Sequence, residues 1–232
     1  MNIVYALLIG IVPALLWLWF WLKEDNLHPE PRTILAITFI AGCTSVIIAI
    51  IVEGFLKEII VGNETHLYIA WAFTEEMVKF VALAIVVLNS KYMDEPIDAM
   101  IYAITVALGF SAIENTLFIL FSTGTEEMSR AIITSNLRFL GATLVHIISS
   151  ASIGFMIGLS FYKNAFIKVI GVIIGVILAT VLHASFNLAI INATEMGTLR
   201  TFAWVWFAVI ILLILFEEIK FIRPKGYYKD YI

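Results

Sequence analysis

Apolar residues run along this chain in long blocks, with little of the alternation expected of strands. A helix that crosses a bilayer needs about 20 predominantly apolar residues. Seven stretches meet that length: Ile3–Leu22, Thr33–Phe55, Leu67–Leu88, Ile97–Phe121, Arg138–Phe161, Phe166–Ile191 and Leu199–Phe216. Polar connectors separate them, such as Lys23 to Arg32, Asn89 to Pro96 and Ser122 to Arg130, and Lys57–Val61 extends the second stretch or lies at the interface. The pattern predicts an all-α polytopic membrane protein, a single domain of about seven transmembrane helices around a polar cavity. No internal repeat or low-complexity segment interrupts it.

Composition agrees with the pattern. Of 232 residues 62% are hydrophobic and 14% are charged, against about 25% charged in a soluble domain, and mean hydropathy is +1.00. A net charge of −4 provides no basic face for nucleic acid. One cysteine, Cys43, excludes a disulfide framework, a cysteine zinc site and an iron–sulfur cluster. There is no glycine-rich phosphate loop and no G-x-S-x-G elbow. The first stretch lacks a basic leader and a small-residue cleavage site, so it reads as a retained helix and not a signal peptide.

Lys and Arg concentrate in cytoplasmic loops. Lys23, Arg32, Lys91, Lys163, Lys168, Lys220, Arg223, Lys225 and Lys229 fall on one side, and Lys57, Arg130, Arg138 and Arg200 on the other. This bias predicts a multi-pass protein of the cell membrane with its N-terminus outside and its C-terminus in the cytoplasm.

The informative residues are those that a bilayer disfavours. A charged side chain at mid-membrane costs at least about 2.5–3.5 kcal/mol, yet the stretches contain Glu53, Glu75, Glu76, Lys79, Glu114, His146 and His183, with Asn115 and Asn187 as polar companions. Counted from the span ends, Glu76, Glu114, His146 and His183 all lie about 10–14 Å below the outer surface, which predicts that four helices bring their polar groups to one layer. Glu75 and Glu76 stand four and three residues before Lys79, so both carboxylates reach its ammonium. One is then held ionised, and the other is available as a base. His183 and Asn187 share a helix face at i, i+4.

Two chemistries use this collection. A carboxylate, with or without a histidine, takes a proton from water while an amide and an imidazole N–H stabilise an oxyanion. Alternatively Glu76, Glu114, His146 and His183 hold one zinc ion. Other residues have plainer readings: Glu53 as a helix-end group, and Asp98 as a carboxylate serving a helix N-terminus. Gly109, Gly154 and Gly158 read as close-packing positions. Trp17, Trp19 and Trp21 read as lipid or interface anchors.

Five motifs, with an N-terminal pattern before them, resemble the PrsW family of intramembrane proteases, relatives of the type II CAAX-processing proteases. Pro13, Asp25 and Glu30-Pro31 resemble its N-terminal pattern. Glu75-Glu76-Met77-Val78-Lys79 fits E-E-x-x-K. Glu95-Pro96-Ile97-Asp98-Ala99 with Tyr102 is similar to E-P-x-D-G-x-x-Y, with Ala99 at the usual glycine. Gly109 to Asn115 resembles G-F-x-x-x-E-N, His146 stands at the family's lone histidine, and His183 to Asn187 resembles H-x-x-x-[DN]. The resemblance implies a membrane-embedded peptidase that cuts a membrane-anchored regulator, such as an anti-sigma factor, on the outer side. It implies Glu75 or Glu76 as base and His183 with Asn187 as oxyanion stabiliser. Glu114 occupies a position where the CAAX relatives often have His. The implied substrate is a single-span protein within the lipid bilayer. The rivals are a proton- or ion-coupled transporter, which needs polar groups across both membrane halves, and a non-catalytic scaffold like the APH subunit of gamma-secretase.

Overall fold

The computed structural model describes residues 3–23, 29–122, 141–191 and 193–224. Asp25, Arg130, Arg138, Lys225 and Lys229, which carried parts of the motif and orientation arguments, lie outside these residues. The described residues form seven α-helices: α1 (Ile3–Leu22), α2 (Arg32–Ile59), α3 (Glu64–Leu83), α4 (Asp98–Ser122), α5 (Ala142–Leu159), α6 (Ala165–Ile191) and α7 (Glu195–Ile219). Among them there is no strand. All but α3 are long and apolar enough to cross a membrane. α3 has 20 residues, as α1 does, and what sets it apart is Glu75, Glu76 and Lys79 in its second half.

Local chemistry fixes the helix starts. Gly62 takes φ +79° in the turn after α2, a conformation that costs a residue without Cβ little. Asn63 then caps α3, its Oδ1 accepting the His66 N–H at 3.0 Å. Asn164 Oδ1 accepts the Ile167 N–H at the start of α6, and Thr194 Oγ1 accepts the Gly197 N–H at the start of α7. Each satisfies a backbone donor that a helix start leaves without an intrahelical partner. At its far end α3 passes into a π-helical turn, Ala84–Leu88.

α4 is the central rod. It packs against α1, α2 and α5, while α3 lies on α2 and α6, and α7 leans on α5 and α6. Side chains from Ile97 to Phe110 along α4 are almost all buried. The outward faces of α2 and α6 present Ile47, Ile48, Ile51, Ile173, Ile177 and Val181, all more than half exposed, as a lipid-facing surface requires.

In lipid, helices associate by close packing and not by hiding apolar surface from water. The tightest crossing is α2 on α4. A Cβ built on Gly42 would overlap the Val106 carbonyl oxygen, and one on Gly109 would overlap that of Phe39. Gly154 and Gly158 of α5 bring its backbone similarly close to Ala99 and Pro96 at the start of α4.

The tryptophans depart from the expectation. Only Trp19 is an exposed anchor, with Lys23 Nζ 3.6 Å from its ring centroid. Trp21 is 1% exposed and packs on Phe20 and Phe216, and Trp17 meets Phe20 and Trp206. α7 folds back along α1's aromatic stripe and turns two of the three inward.

Candidate active site

Four helices contribute to one polar centre: α3 provides Glu75, Glu76 and Lys79, α4 Glu114, α5 His146 and α6 His183. The side chains expected to share one depth meet one another, though the helix ends are staggered. α3 starts at Glu64 and α5 at Ala142, so Glu76 and His146 lie twelve and four residues in from their own helix starts.

Glu76 is completely buried and fully engaged. Its Oε1 pairs with Lys79 Nζ at 2.5 Å and accepts the His183 Nδ1 proton at 2.8 Å. Its Oε2 accepts from Ser150 Oγ at 3.0 Å. A buried charge is tolerable only when paired and hydrogen-bonded, and here Lys79, 1% exposed, is the counter-ion. Lys79 also donates to His146 Nδ1 at 2.9 Å and lies 4.7 Å from the Phe110 ring centroid. His146 therefore carries its proton on Nε2, which donates to Glu114 Oε2 at 2.7 Å. The two imidazoles stand edge to face, ring centroids 4.8 Å apart.

Glu75 differs from its neighbour. Its Oε2 is buried without a hydrogen-bond partner, 3.8 Å from His146 Nδ1 and 3.8 Å from His183 Nε2. Because His183 Nδ1 donates to Glu76, its Nε2 lone pair faces this oxygen. Buried polar atoms are nearly always satisfied, so an orphan at the meeting point of two imidazoles calls for an occupant. Donors around a tetrahedral zinc lie roughly 3.4 Å apart, given metal–donor distances of about 2.0–2.2 Å. Glu75, His146 and His183 offer donor atoms within 4.8 Å of one another and fit that requirement. The set differs from the expected quartet: Glu76 is taken up by Lys79, Ser150 and His183, and Glu114 sits on the far edge of His146.

A cavity of about 650 Å³ opens onto the centre, lined among others by Tyr68, Trp71, Glu75, Glu114, His146, His183 and Asn187. Asn187 thus reaches the cavity on the same wall as His183. Asn115 does not, since its Nδ2 donates to Ser111 Oγ and Thr143 Oγ1, tying α4 to α5. Glu53, read from sequence as a helix-end group, lines the cavity instead, because α2 continues to Ile59. Its backbone oxygen accepts the Trp71 Nε1 proton at 3.2 Å. A carboxylate within the apolar run Thr33–Phe55 was the signal for it.

Asp98 lies elsewhere. It starts α4, sixteen residues before Glu114, or about 24 Å along the axis. Its Oδ2 accepts the loop N–H groups of Asp94 and Glu95 at 2.9 and 2.6 Å, so it closes the preceding loop and does not cap the helix's own donors. Glu30 joins it and accepts the Tyr102 hydroxyl proton. Partial burial of Glu30 pushes its carboxyl above the usual carboxylate range.

A family profile described as PrsW family intramembrane metalloprotease matches residues 30–214. Protease PrsW of Geobacillus kaustophilus is 25% identical over 126 residues, which is 53% of this chain and 56% of that protein. Protease PrsW of Bacillus subtilis is 24% identical over 206 residues, 86% of this chain and 90% of that one. Protease PrsW of Clostridioides difficile is 31% identical over 118 residues, 48% and 49% of the two chains. No solved structure matches.

Proposed function

Because the chain belongs to the PrsW family of intramembrane metalloproteases, we propose that it hydrolyses a peptide bond of a membrane-anchored protein where the cavity meets Glu75. The observation that carries this reading is the buried Glu75 Oε2, partnerless and flanked by two imidazoles at a cavity wall.

In this reading Glu75, His146 and His183 hold one zinc ion. Such an ion, when bound, polarises a carbonyl and lowers the pKa of water. Glu76 orients His183 by holding its Nδ1 proton, as carboxylates behind metal-binding histidines do. Lys79 keeps Glu76 ionised and gives up its contact with His146 Nδ1. Glu114, whose side chain is 33% exposed, holds the Nε2 proton of His146 and carries protons between water and the leaving amine. Asn187 donates its amide to the developing oxyanion. The substrate is a single-span protein, such as an anti-sigma factor or similar regulator, unwound at the cut because an intact helix hides its carbonyls in internal hydrogen bonds. With the N-terminus outside, the centre faces the outer leaflet.

The transporter reading fares worse. Between Asp98 and Glu114 the polar side chains of α4 are Tyr102, Thr105 and Ser111. Tyr102 belongs to the Glu30 cluster, Thr105 bonds back to Ile101, and Ser111 bonds to Thr143. Nothing along this central helix relays a proton from one cluster to the other.

A cleavage assay in liposomes tests the proposal, using a pooled library of the source organism's single-span membrane proteins. Cleavage of at least one member, lowered at least about a hundredfold by 1,10-phenanthroline and restored by zinc, is expected. A pool left intact by folded protein contradicts it.

A further inference from the structure

A second cavity, of about 540 Å³, joins the first from the side. One wall is α2, with Val46, Ala49, Ile50 and Glu53, and the other is α4, with Phe110, Glu114, Leu117, Phe118 and Phe121. Glu75 of α3 also lines it. Glu53, Glu75, Glu114 and Phe118 line both cavities, so the two meet at the carboxylates.

The cleft follows from how α2 and α4 cross. At Gly42 and Gly109 the two backbones are pressed together with no room for a Cβ on either side. Beyond this crossing, toward the ends of α2 and α4 that hold Glu53 and Glu114, side chains of both helices line the cavity between them. Val46, Ala49 and Phe110 form a buried floor, and Ile50, Phe118 and Phe121 are 51%, 42% and 82% exposed at the rim. These rim residues are apolar and exposed, as are the outward faces of α2 and α6, which is what an opening toward lipid requires.

Resting on the protease reading, we propose that the substrate's transmembrane helix enters sideways through the cleft between α2 and α4. The occupant is one apolar helix. It meets apolar side chains along the cleft walls and carboxylates only at the junction with the first cavity. There its backbone must leave helical geometry to be cut, and water from the first cavity can satisfy the freed groups. An aqueous route through the first cavity would suit a soluble peptide. A peptide bond near the end of a membrane helix is reached without withdrawing the helix from lipid only if the site has an opening to lipid, and this cleft leads to the carboxylates.

The test closes the cleft reversibly. In a Cys43→Ser background, the Ile50→Cys/Leu117→Cys variant is bridged by a bifunctional methanethiosulfonate reagent, and the bridge is removed by reductant. Two probes are compared in liposomes: a single-span reporter protein and a soluble peptide spanning the reporter's cut site. Bridging should lower reporter cleavage at least tenfold, reversibly, while peptide cleavage changes less than twofold. Equal loss for both probes, or for neither, overturns the proposal. A separate arm places photoreactive benzoylphenylalanine at Ile50 or Leu117, and at the lipid-facing controls Ile173 and Ile210, with a fluorescent Leu/Ala transmembrane peptide as probe. Adducts at the first pair at least fivefold above the controls support the cleft, and equal yields at all four overturn it. Enriched adducts without cleavage of either probe would retain the cleft and overturn the protease reading.

Discussion

Glu75→Gln lowers peptide-bond cleavage by about a thousandfold, because the site loses a ligand of the ion that activates water and polarises the carbonyl, and leaves the protein folded. The substitution keeps the side chain's size and removes its charge. Glu75 Oε2 has no hydrogen-bond partner in its buried position, so the metal-free protein loses no bond there. With zinc removed by chelator, thermal stability in detergent should hold or rise, the usual trade between stability and function at a functional group. Glu76→Gln behaves oppositely in stability. It strips the anion from Lys79, 2.5 Å away and 1% exposed, and an uncompensated buried charge costs about 3–5 kcal/mol. Activity falls in both variants, and the stability of the metal-free protein falls in Glu76→Gln alone. Glu75→Gln cutting within threefold of wild type, or the two stabilities ranked the other way, would contradict the assignment of these adjacent residues.

The second large effect concerns the α2–α4 crossing. Gly109→Leu should prevent the two helices from closing, because even a Cβ there overlaps the Phe39 carbonyl oxygen. Overpacking of a tight interface costs roughly 1–3 kcal/mol, and here the obstacle is backbone, which cannot swing aside. Gly109→Ala should lower the melting temperature by several degrees, at about 2–4 °C per kcal/mol, and Gly109→Leu by more. Gly54→Ala on the same helix pair is the control. A Cβ there meets nothing within 4 Å, and replacing a helical glycine by alanine is favourable by up to about 1 kcal/mol. Gly109→Leu melting with wild type would remove the crossing from the account and with it the origin of the cleft.

Much of this was legible in the sequence. Apolar runs located the helices because the bilayer forbids unsatisfied backbone groups in the lipid, and the bounds of α1 match the sequence reading. Charged residues inside such runs marked the centre, since each is too costly to keep without a partner. What the pattern could not decide was which partner. Glu75 and Glu76 both lie within reach of Lys79 by spacing, and only the facing helices settle the matter. Ser150 and His183 take up Glu76, leaving Glu75 toward the cavity. Glu53 was read as a helix-end group because hydrophobicity ended α2 at Phe55, four residues short of Ile59. Trp21 was misread because an aromatic near a span end looks alike whether it faces lipid or a neighbouring helix. Asn115 carried a motif position, yet its amide joins Ser111 and Thr143, a packing role that spacing along one helix cannot reveal.

The convergence of Glu75, His146 and His183 on one ion is tested most directly by elemental analysis of the purified full-length protein and its variants, with X-ray absorption at the metal edge. The account predicts about one zinc per chain, bound by nitrogen and oxygen donors. Zinc should be lost in folded Glu75→Gln, His146→Ala and His183→Ala and retained in Glu114→Gln. A metal-free wild-type preparation that cleaves at its full rate, or zinc retained by Glu75→Gln and lost from Glu114→Gln, would contradict it.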